Sequence, residues 1–539
     1  MSLKNILSNL RTTLQTEALP GKAMVPNSAG GFVFAVDAWQ RLDRFLVLGV
    51  DGGSYYASAR ALTKDNAAAV ATCIQLDGAR TVRRIVEVSE AGRAPKNDPA
   101  IFALAMAMKT GDVETRRRAA EAMPRVCRTA TMLFAFVDAV KLFGGFGRVT
   151  DRAIERWYLE RNDDELALQL AKYQRRNGWS HRDLLRKAKP VPRTATQKEL
   201  LAWAVGKPAN IVSSSLLQGV EAAKVASSSA EVAQLVVKHR LPRECVPTEH
   251  LGERGVWLAL LEAGMPLTAL VRNLGKLTAV GALAPLSSTT QQVVGRLGDV
   301  RELKAARLHP LAILVAQRVY ASGHGDKGAL TWTPVPEIVS ALERAFRLAF
   351  SVVEPTGKRF LLGLDVSGSM GGGRVAGSPL TPREAAAAMA LVLASTEQRT
   401  VTTAFTSAGS KVFSPSNNPI AMLPLTSSQT LSEVLAMTNG LPFGATDCAL
   451  PMRYALEQGL EVDCFVVLTD NETWAGDMHP VKALQAYRQK TGIAARLVVV
   501  GMVSNGFTIA DPADSGMLDV VGFDTATPAL ISSFARGEL

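Results

Sequence analysis

Residues 359–371 read RFLLGLDVSGSMG. The run from Phe360 to Leu364 carries no polar side chain, as expected of a parallel strand buried on both faces. It ends in Asp365, Ser367 and Ser369, one carboxylate and two hydroxyls at alternate positions. Side chains so spaced at the carboxyl end of a buried strand gather hard oxygen donors. Such donors suit Mg²⁺ or a similar cation.

Downstream of this strand the pattern alternates. Strands are expected at 359–364, 400–405, 462–468 and 495–500, with helices at 381–396, 428–437, 448–458 and 481–490. That order predicts a mostly parallel, doubly wound α/β sheet, covered on both faces. Ligands of such sheets lie beyond the carboxyl ends of the strands. Three loops there carry oxygens: Asp365 to Ser369, Gly444 to Asp447, and Thr469 to Glu472. Asp470 follows an apolar strand just as Asp365 does.

The chain divides by charge at the same point. Residues 359–539 hold 11 basic and 16 acidic side chains; residues 1–358 hold 49 and 33, a net charge of +16. A basic domain of that size predicts a polyanionic partner, and nucleic acid is the usual one. The domains expected are therefore 1–358, basic, and 359–539, acidic. No apolar stretch reaches the roughly 18 residues of a membrane span. The opening MSLKNILSNLRTTLQ lacks the apolar core of a signal peptide. Five scattered cysteines without a Cys-x-x-Cys pair argue against disulfides and zinc, and for a reducing cytoplasm.

Residues 1–350 read as helices. Segments of helical period lie at 99–108, 114–123, 129–143 and 163–173; in the last, Leu166, Leu168, Leu170 and Ala171 can form a buried stripe. Short breaks such as Gly144 to Gly147 and Lys189 to Pro192 separate them, which predicts antiparallel helix pairs in a degenerate repeat array. In the segment from Asn27 to Tyr56, Gly30-Gly31 and Gly52-Gly53 read as tight turns around a helix-length apolar stretch. Neither pair fits a phosphate loop.

One cluster in this part is dense in cations. Residues 172–187 read KYQRRNGWSHRDLLRK, placing Lys172, Arg175, Arg176, Arg182, Arg186 and Lys187 among Tyr173, Trp179 and His181. Cations bind phosphates and aromatic faces stack on unpaired bases. The structural alternative is a helix ending at Asn177-Gly178, a second helix capped by Ser180, and Trp179 in the core. Arg116 and Arg117, with Arg118, extend the expected RNA surface, although three charges on a helix also make an ordinary solvated face.

Three loops in this order resemble the metal-ion-dependent adhesion site of a von Willebrand factor type A domain. The resemblance implies that Asp365, Ser367, Ser369, Thr446 and Asp470 surround one divalent cation, Mg²⁺ by preference. The similarity then spreads over the whole chain. GGFVFAVDAWQRLDRFLVLGVDGGSYY, KYQRRNGWSHRDLL, MPLTALVRNLGKLT, VEPTGKRFLLGLDVSGSM, LTDNETWAG and GMVSNGFTIADP resemble the Ro 60 kDa autoantigen family, in its bacterial form. The family implies a ring of HEAT-like helical repeats, the TROVE module, closed by the type A domain. It further implies binding of small non-coding Y RNA on the basic outer surface, with the segment around His181 part of that surface. Single-stranded 3′ ends of misfolded or precursor RNA are expected in the central hole. The family is not enzymatic, and a monomer is expected. Gly444-Ala445 departs from the two glycines frequent in relatives, and Gly371-Gly372-Gly373 adds freedom to the first loop.

Two rival readings use the same residues. An aspartyl phosphatase built on Asp365 needs a second Asp two residues on, where Ser367 stands. None of the six histidines forms a zinc-binding pair. A protein-binding adaptor would capture a partner's carboxylate on the metal. It is compatible with RNA binding if the metal face recruits an exoribonuclease.

Overall fold

The computed structural model describes residues 13–538, apart from 50–66, 95, 208–210, 307, 309, 326–328, 350–354, 373–374, 376–379, 408–418, 427–428, 440–443, 504–505 and 522–525. A long helical array occupies residues 38–348, and an α/β unit follows. Strands are numbered in chain order. β1 (Met24–Pro26) and β2 (Phe32–Ala35) precede the array, and β3 (Arg175–Arg176) and β4 (Trp179–Ser180) interrupt it. β5 (Arg359–Asp365), β6 (Arg399–Phe405), β7 (Ile420–Met422), β8 (Cys464–Thr469), β9 (Arg496–Gly501), β10 (Phe507–Thr508) and β11 (Met517–Val521) follow it.

The helices begin where short polar side chains can accept orphan backbone amides. Asp112, Thr129, Asn162, Thr194 and Ser228 each accept from the amide three residues on. Asp37 with Gln40 and Ser180 with Asp183 close reciprocal capping boxes. Helix Asp98–Thr110 is buried from Pro99 to Met108, so it shows no polar face and sits inside the array. In helix Asp163–Lys172 the expected stripe is partly corrected. Leu166, Leu170 and Ala171 are buried, but Leu168 is 38% exposed, because a residue two places from Leu166 points to the opposite side.

The large sheet runs β11-β9-β8-β5-β6-β7, parallel except for the edge pair β6–β7. β5 sits at its centre, and every residue from Phe360 to Asp365 is buried. One sheet face, with Leu362, Leu364, Val466 and Val498, shares a continuous apolar core with helix Pro382–Thr396 and the helical array. The other face packs on helices Leu450–Glu457 and Pro480–Thr491.

The α/β unit touches both ends of the array. At the early end the Arg44 guanidinium donates to Asp519 (2.9 Å) and to the Phe507 carbonyl (3.2 Å), and Arg93 donates to the Val521 carbonyl (3.0 Å). At the late end Arg318 pairs with Glu384 at 2.8 Å. These contacts close the helical array into a ring through the α/β unit.

The N-terminal segment departs from the division expected at residue 359. β2 pairs antiparallel with both β1 and β10, and Leu19, Val33 and Phe34 join the core of the α/β unit. Gly30 does make a tight turn, at φ +90°, where Asn27 Oδ1 accepts from the Ala29 and Gly31 amides. Gly31 lies so close to Thr473 that a Cβ would meet its carbonyl oxygen at 1.9 Å. The apolar stretch after it divides into β2 and helix Ala38–Leu48. Gly52-Gly53 lies outside the described residues.

Candidate metal site and nucleic-acid interface

At the carboxyl edge of the sheet, three loops are bonded pairwise. The Gly368 amide donates to the Gly444 carbonyl at 3.2 Å, joining the first loop to the second. The Trp474 and Ala475 amides donate to the Thr446 carbonyl, joining the second to the third. The Thr469 hydroxyl donates to Asp365 Oδ2 at 2.7 Å, closing the circuit. This last contact follows from register: Leu364 pairs with Leu468, so Asp365 and Thr469 leave the sheet side by side.

Asp365, Ser367, Thr446 and Asp470 are at most 2% exposed, and Ser369 is half-buried. Asp365 Oδ1 accepts from the Ser367 amide at 2.9 Å, and the Ser367 and Ser369 hydroxyls lie 3.1 Å apart. Arg383 supports the first loop from behind, donating to the Val366 and Ser367 carbonyls. Burial pushes the Asp365 carboxyl up, and it pushes Asp470 to about 7, helped by the charge of Glu472. Among the described residues no three His, Cys, Asp or Glu side chains converge on a metal position. The side chains expected at this edge are of another kind, two carboxylates with three hydroxyls.

Asp447 faces the other way, although it follows Thr446. Its Oδ1 accepts from Gln15 Nε2 (2.7 Å) and the Ala449 amide (3.0 Å), and burial pushes its carboxyl to about 6. Gln15 also donates to the Met478 carbonyl and accepts from Thr473. Asn27 donates to the Thr473 carbonyl at 2.8 Å, and Glu472 accepts from the Ala29 amide at 3.1 Å. The N-terminal segment thus braces the third loop. Nothing local in the sequence announces these partners, which lie more than 430 residues apart.

The basic cluster takes parts of both expectations: its arginines stand on the surface and Ser180 caps the following helix, but the preceding helix ends early. The helix stops at Lys172, and residues 175–180 make a two-stranded hairpin. Asn177 (φ +50°) and Gly178 (φ +77°) form its turn, a pairing that hairpins favour. Arg175 and Arg176 stand exposed on β3, and Arg182, Arg186 and Lys187 are exposed on the next helix. Among the described residues, none of the four arginines has an ion-pair partner. Lys187 lies 4.3 Å from the Phe146 ring centroid, and Trp179 is half-buried against the same ring, packed on the edge of the core. Lys172 is half-buried, 3.8 Å from Glu244.

Three of the expected RNA-binding residues are engaged within the protein, and only His181 is buried. His181 is 3% exposed, so its ring is not available to RNA. Its Nδ1 lies 2.8 Å from the Tyr158 hydroxyl and its Nε2 lies 3.3 Å from the Gln169 carbonyl. Burial lowers its pKa to about 4. Arg117 is exposed but bonded to Glu114 and Glu121, and Arg116 donates to the Gly111 carbonyl at 2.6 Å. This helix face holds its arginines in ion pairs, whereas the hairpin arginines make none among the described residues and feel only the nearby charge of Asp183.

The TROVE domain matches residues 25–319, and the Ro60 vWA domain matches residues 359–535. The chain belongs to the Ro60 family. The RNA-binding protein RO60 of Deinococcus radiodurans is 45% identical over 545 aligned residues, covering 100% of both chains. The RNA-binding protein RO60 of Caenorhabditis elegans is 35% identical, over 96% of this chain and 90% of its own. The crystal structure of the Deinococcus radiodurans RO (RSR) protein superposes with a TM-score of 0.72 at 44% identity, covering 93% of this chain and 100% of that one. Ro60 family members are non-catalytic scaffolds, and Ser367, two residues after Asp365, offers no acid for aspartyl phosphoryl transfer. Among the described residues no helix is long and apolar enough to cross a membrane.

Proposed function

We propose that this chain is the RNA-binding protein of a cytoplasmic ribonucleoprotein, acting as a monomer in RNA quality control or maturation. The observation that carries the reading is the Arg175–Ser180 hairpin with the helix after it. It presents Arg175, Arg176, Arg182 and Arg186 to solvent without ion-pair partners among the described residues. Exposed guanidinium groups free of ion pairs suit the phosphates of a small structured RNA of the Y type. The ring suits single-stranded 3′ ends of misfolded or precursor RNA, since a threaded strand is far narrower than an A-form duplex.

The metal edge is the second functional surface. Asp365, Ser367, Ser369, Thr446 and Asp470 would hold one divalent cation, Mg²⁺ by donor chemistry, some of them through water. With only two carboxylates the ion keeps positive character, which would attract an acidic side chain from a protein partner such as an exoribonuclease. Cross-linking the protein to RNA in cells and sequencing the bound species tests the main reading. Enrichment of one or a few small structured RNAs is the expected result, and a profile that mirrors total RNA would refute it.

A further inference from the structure

Trp474, in the third metal loop, is 40% exposed, more than any other aromatic residue among the described residues. The chain has seven tryptophans, and the other six all have partners. Trp157, Trp203, Trp257 and Trp332 donate through the indole nitrogen, Arg80 lies over the Trp39 ring, and Trp179 packs against Phe146. The Trp474 side chain makes no hydrogen bond or ring contact among the described residues. A ring of this size left facing water forgoes the burial that a tryptophan usually gains, and its N–H is left to solvent.

Its backbone, by contrast, is fixed against the candidate metal ligands. The Trp474 amide donates to the Thr446 carbonyl at 3.1 Å, so the tryptophan borders the position the cation would take. Asn27 bonds the Thr473 carbonyl at 2.8 Å on one side, and the Gln15 amide bonds the Gly476 carbonyl at 3.2 Å on the other. A Cβ at Gly31 would stand 3.0 Å from the Trp474 Cα, so the N-terminal segment packs directly on this backbone. Leu14, 47% exposed, precedes Gln15 and adds apolar surface beside the same loop. The loop's exposed carboxylate, Asp477, is paired with Arg453, and Glu472 accepts from the Ala29 amide, so both charges are met within the protein. An exposed aromatic on a pinned loop is ordered in advance, and covering it costs little further freedom. Tryptophans are enriched among the anchors of protein interfaces.

We propose that Trp474 is the apolar anchor of a protein-docking surface at the metal edge. The partner it fits presents an acidic side chain to the cation and a bulky apolar side chain, next to it in sequence, to the indole. This rests on the reading of the metal edge as a partner surface and adds the residue that selects among acidic partners. With Asp365 and Asp470 as its only carboxylates, a divalent cation there keeps positive character and calls for an anionic group. The unpartnered indole calls for apolar cover, and a protein segment bearing both groups supplies both. Residues 359–539 hold 16 acidic and 11 basic side chains, which disfavours a polyanion such as RNA at this edge.

The test uses the full-length protein in Mg²⁺ and three capped peptides, acetyl-GFDFG-amide, acetyl-GADAG-amide and acetyl-GFNFG-amide. The first should bind roughly tenfold or more tightly than either of the others. Trp474→Ala should remove the advantage of GFDFG over GADAG, and chelation of the metal with EDTA should abolish binding of both. In wild-type protein labelled with 5-fluorotryptophan, the fluorine resonance that is missing from Trp474→Phe should shift when GFDFG is added in Mg²⁺ and stay in place in EDTA. That readout does not depend on how Trp474→Ala folds. Equal binding of GFDFG and GADAG, unchanged in Trp474→Ala, would leave the acid-capturing metal edge standing and overturn the anchor. GFNFG binding as tightly as GFDFG, GFDFG binding that survives EDTA, or no GFDFG binding at millimolar peptide would refute the metal edge and the anchor together. An oligouridine that shifts the same fluorine resonance would assign the edge to RNA and overturn the protein partner.

Discussion

The Tyr158 hydroxyl donates to His181 Nδ1 across 2.8 Å, inside the core of the helical array. The direction follows from the other nitrogen. Nε2 faces the Gln169 carbonyl, which can only accept, so Nε2 carries the proton and Nδ1 receives the phenol's. His181 is therefore neutral and structural, and it anchors the helix that follows the basic hairpin.

This arrangement makes stability depend on pH with a definite sign. Burial lowers the His181 pKa from an ordinary 6.5 to about 4, so between those values the unfolded chain binds the extra proton. The stabilisation is fully present above about 6.5 and is lost as the pH falls toward 4, an effect of roughly 3 kcal/mol. Urea unfolding at pH 7.5 and 5 should show about 2 kcal/mol of that loss in the wild type and a smaller one in His181→Gln. Equal pH dependence in both proteins would contradict the assignment.

The Arg44–Asp519 pair at the early seam is buried on both sides, at 1% and 4% side-chain exposure. Arg44→Met should destabilise by about 3–5 kcal/mol, because it leaves a buried carboxylate without its guanidinium. Arg44→Met/Asp519→Leu should recover much of that loss, since both charges are then gone. Thermal unfolding of the single and double variants measures the difference. A double variant as unstable as the single one would show that packing, not charge, holds the seam.

Gly31→Ala should displace the N-terminal segment from the third metal loop, since its Cβ would stand 1.9 Å from the Thr473 carbonyl. Overpacking of this kind costs about 1–3 kcal/mol. Hydrogen exchange should rise at residues 471–476 and 27–35 and remain at wild-type levels in the ring helices. Uniform exchange across the protein would mean that the segment does not brace the loop.

Asp365→Ala should abolish stabilisation by Mg²⁺ while leaving RNA affinity within twofold. For the wild type, Mg²⁺ at about 100 times its Kd would add roughly 2.7 kcal/mol. Calorimetric titration and an RNA gel shift on the same folded variant check the two halves. Retained Mg²⁺ binding would reject the ligand set.

What the sequence disclosed and what it hid have physical reasons. β5, β8 and the capped helices were legible because each is announced locally, by an apolar run or by a cap. β7 and β11 were missed. The first is a three-residue edge strand, and Asp519 interrupts the second. The Asn177-Gly178 turn signal was present, but the cations before it look like a helix continuing. His181 read as surface because it stands among arginines, yet its spacing to Leu184 and Leu185 is that of a buried helical stripe. The bracing of the third loop by Gln15 and Asn27 depends on pairing across most of the chain, which no local pattern records.

Central to the proposed function is that the exposed arginines of the hairpin and its following helix hold RNA by its phosphates. Its direct test is the slope of log affinity against log salt for a small structured RNA. Wild type is compared with Arg175→Ala/Arg176→Ala/Arg182→Ala/Arg186→Ala. The account predicts weaker binding and a slope flattened by roughly 0.7–0.9 for each phosphate that the variant no longer neutralises, with unfolding unchanged. An affinity and slope equal to the wild type's in the folded variant would contradict it.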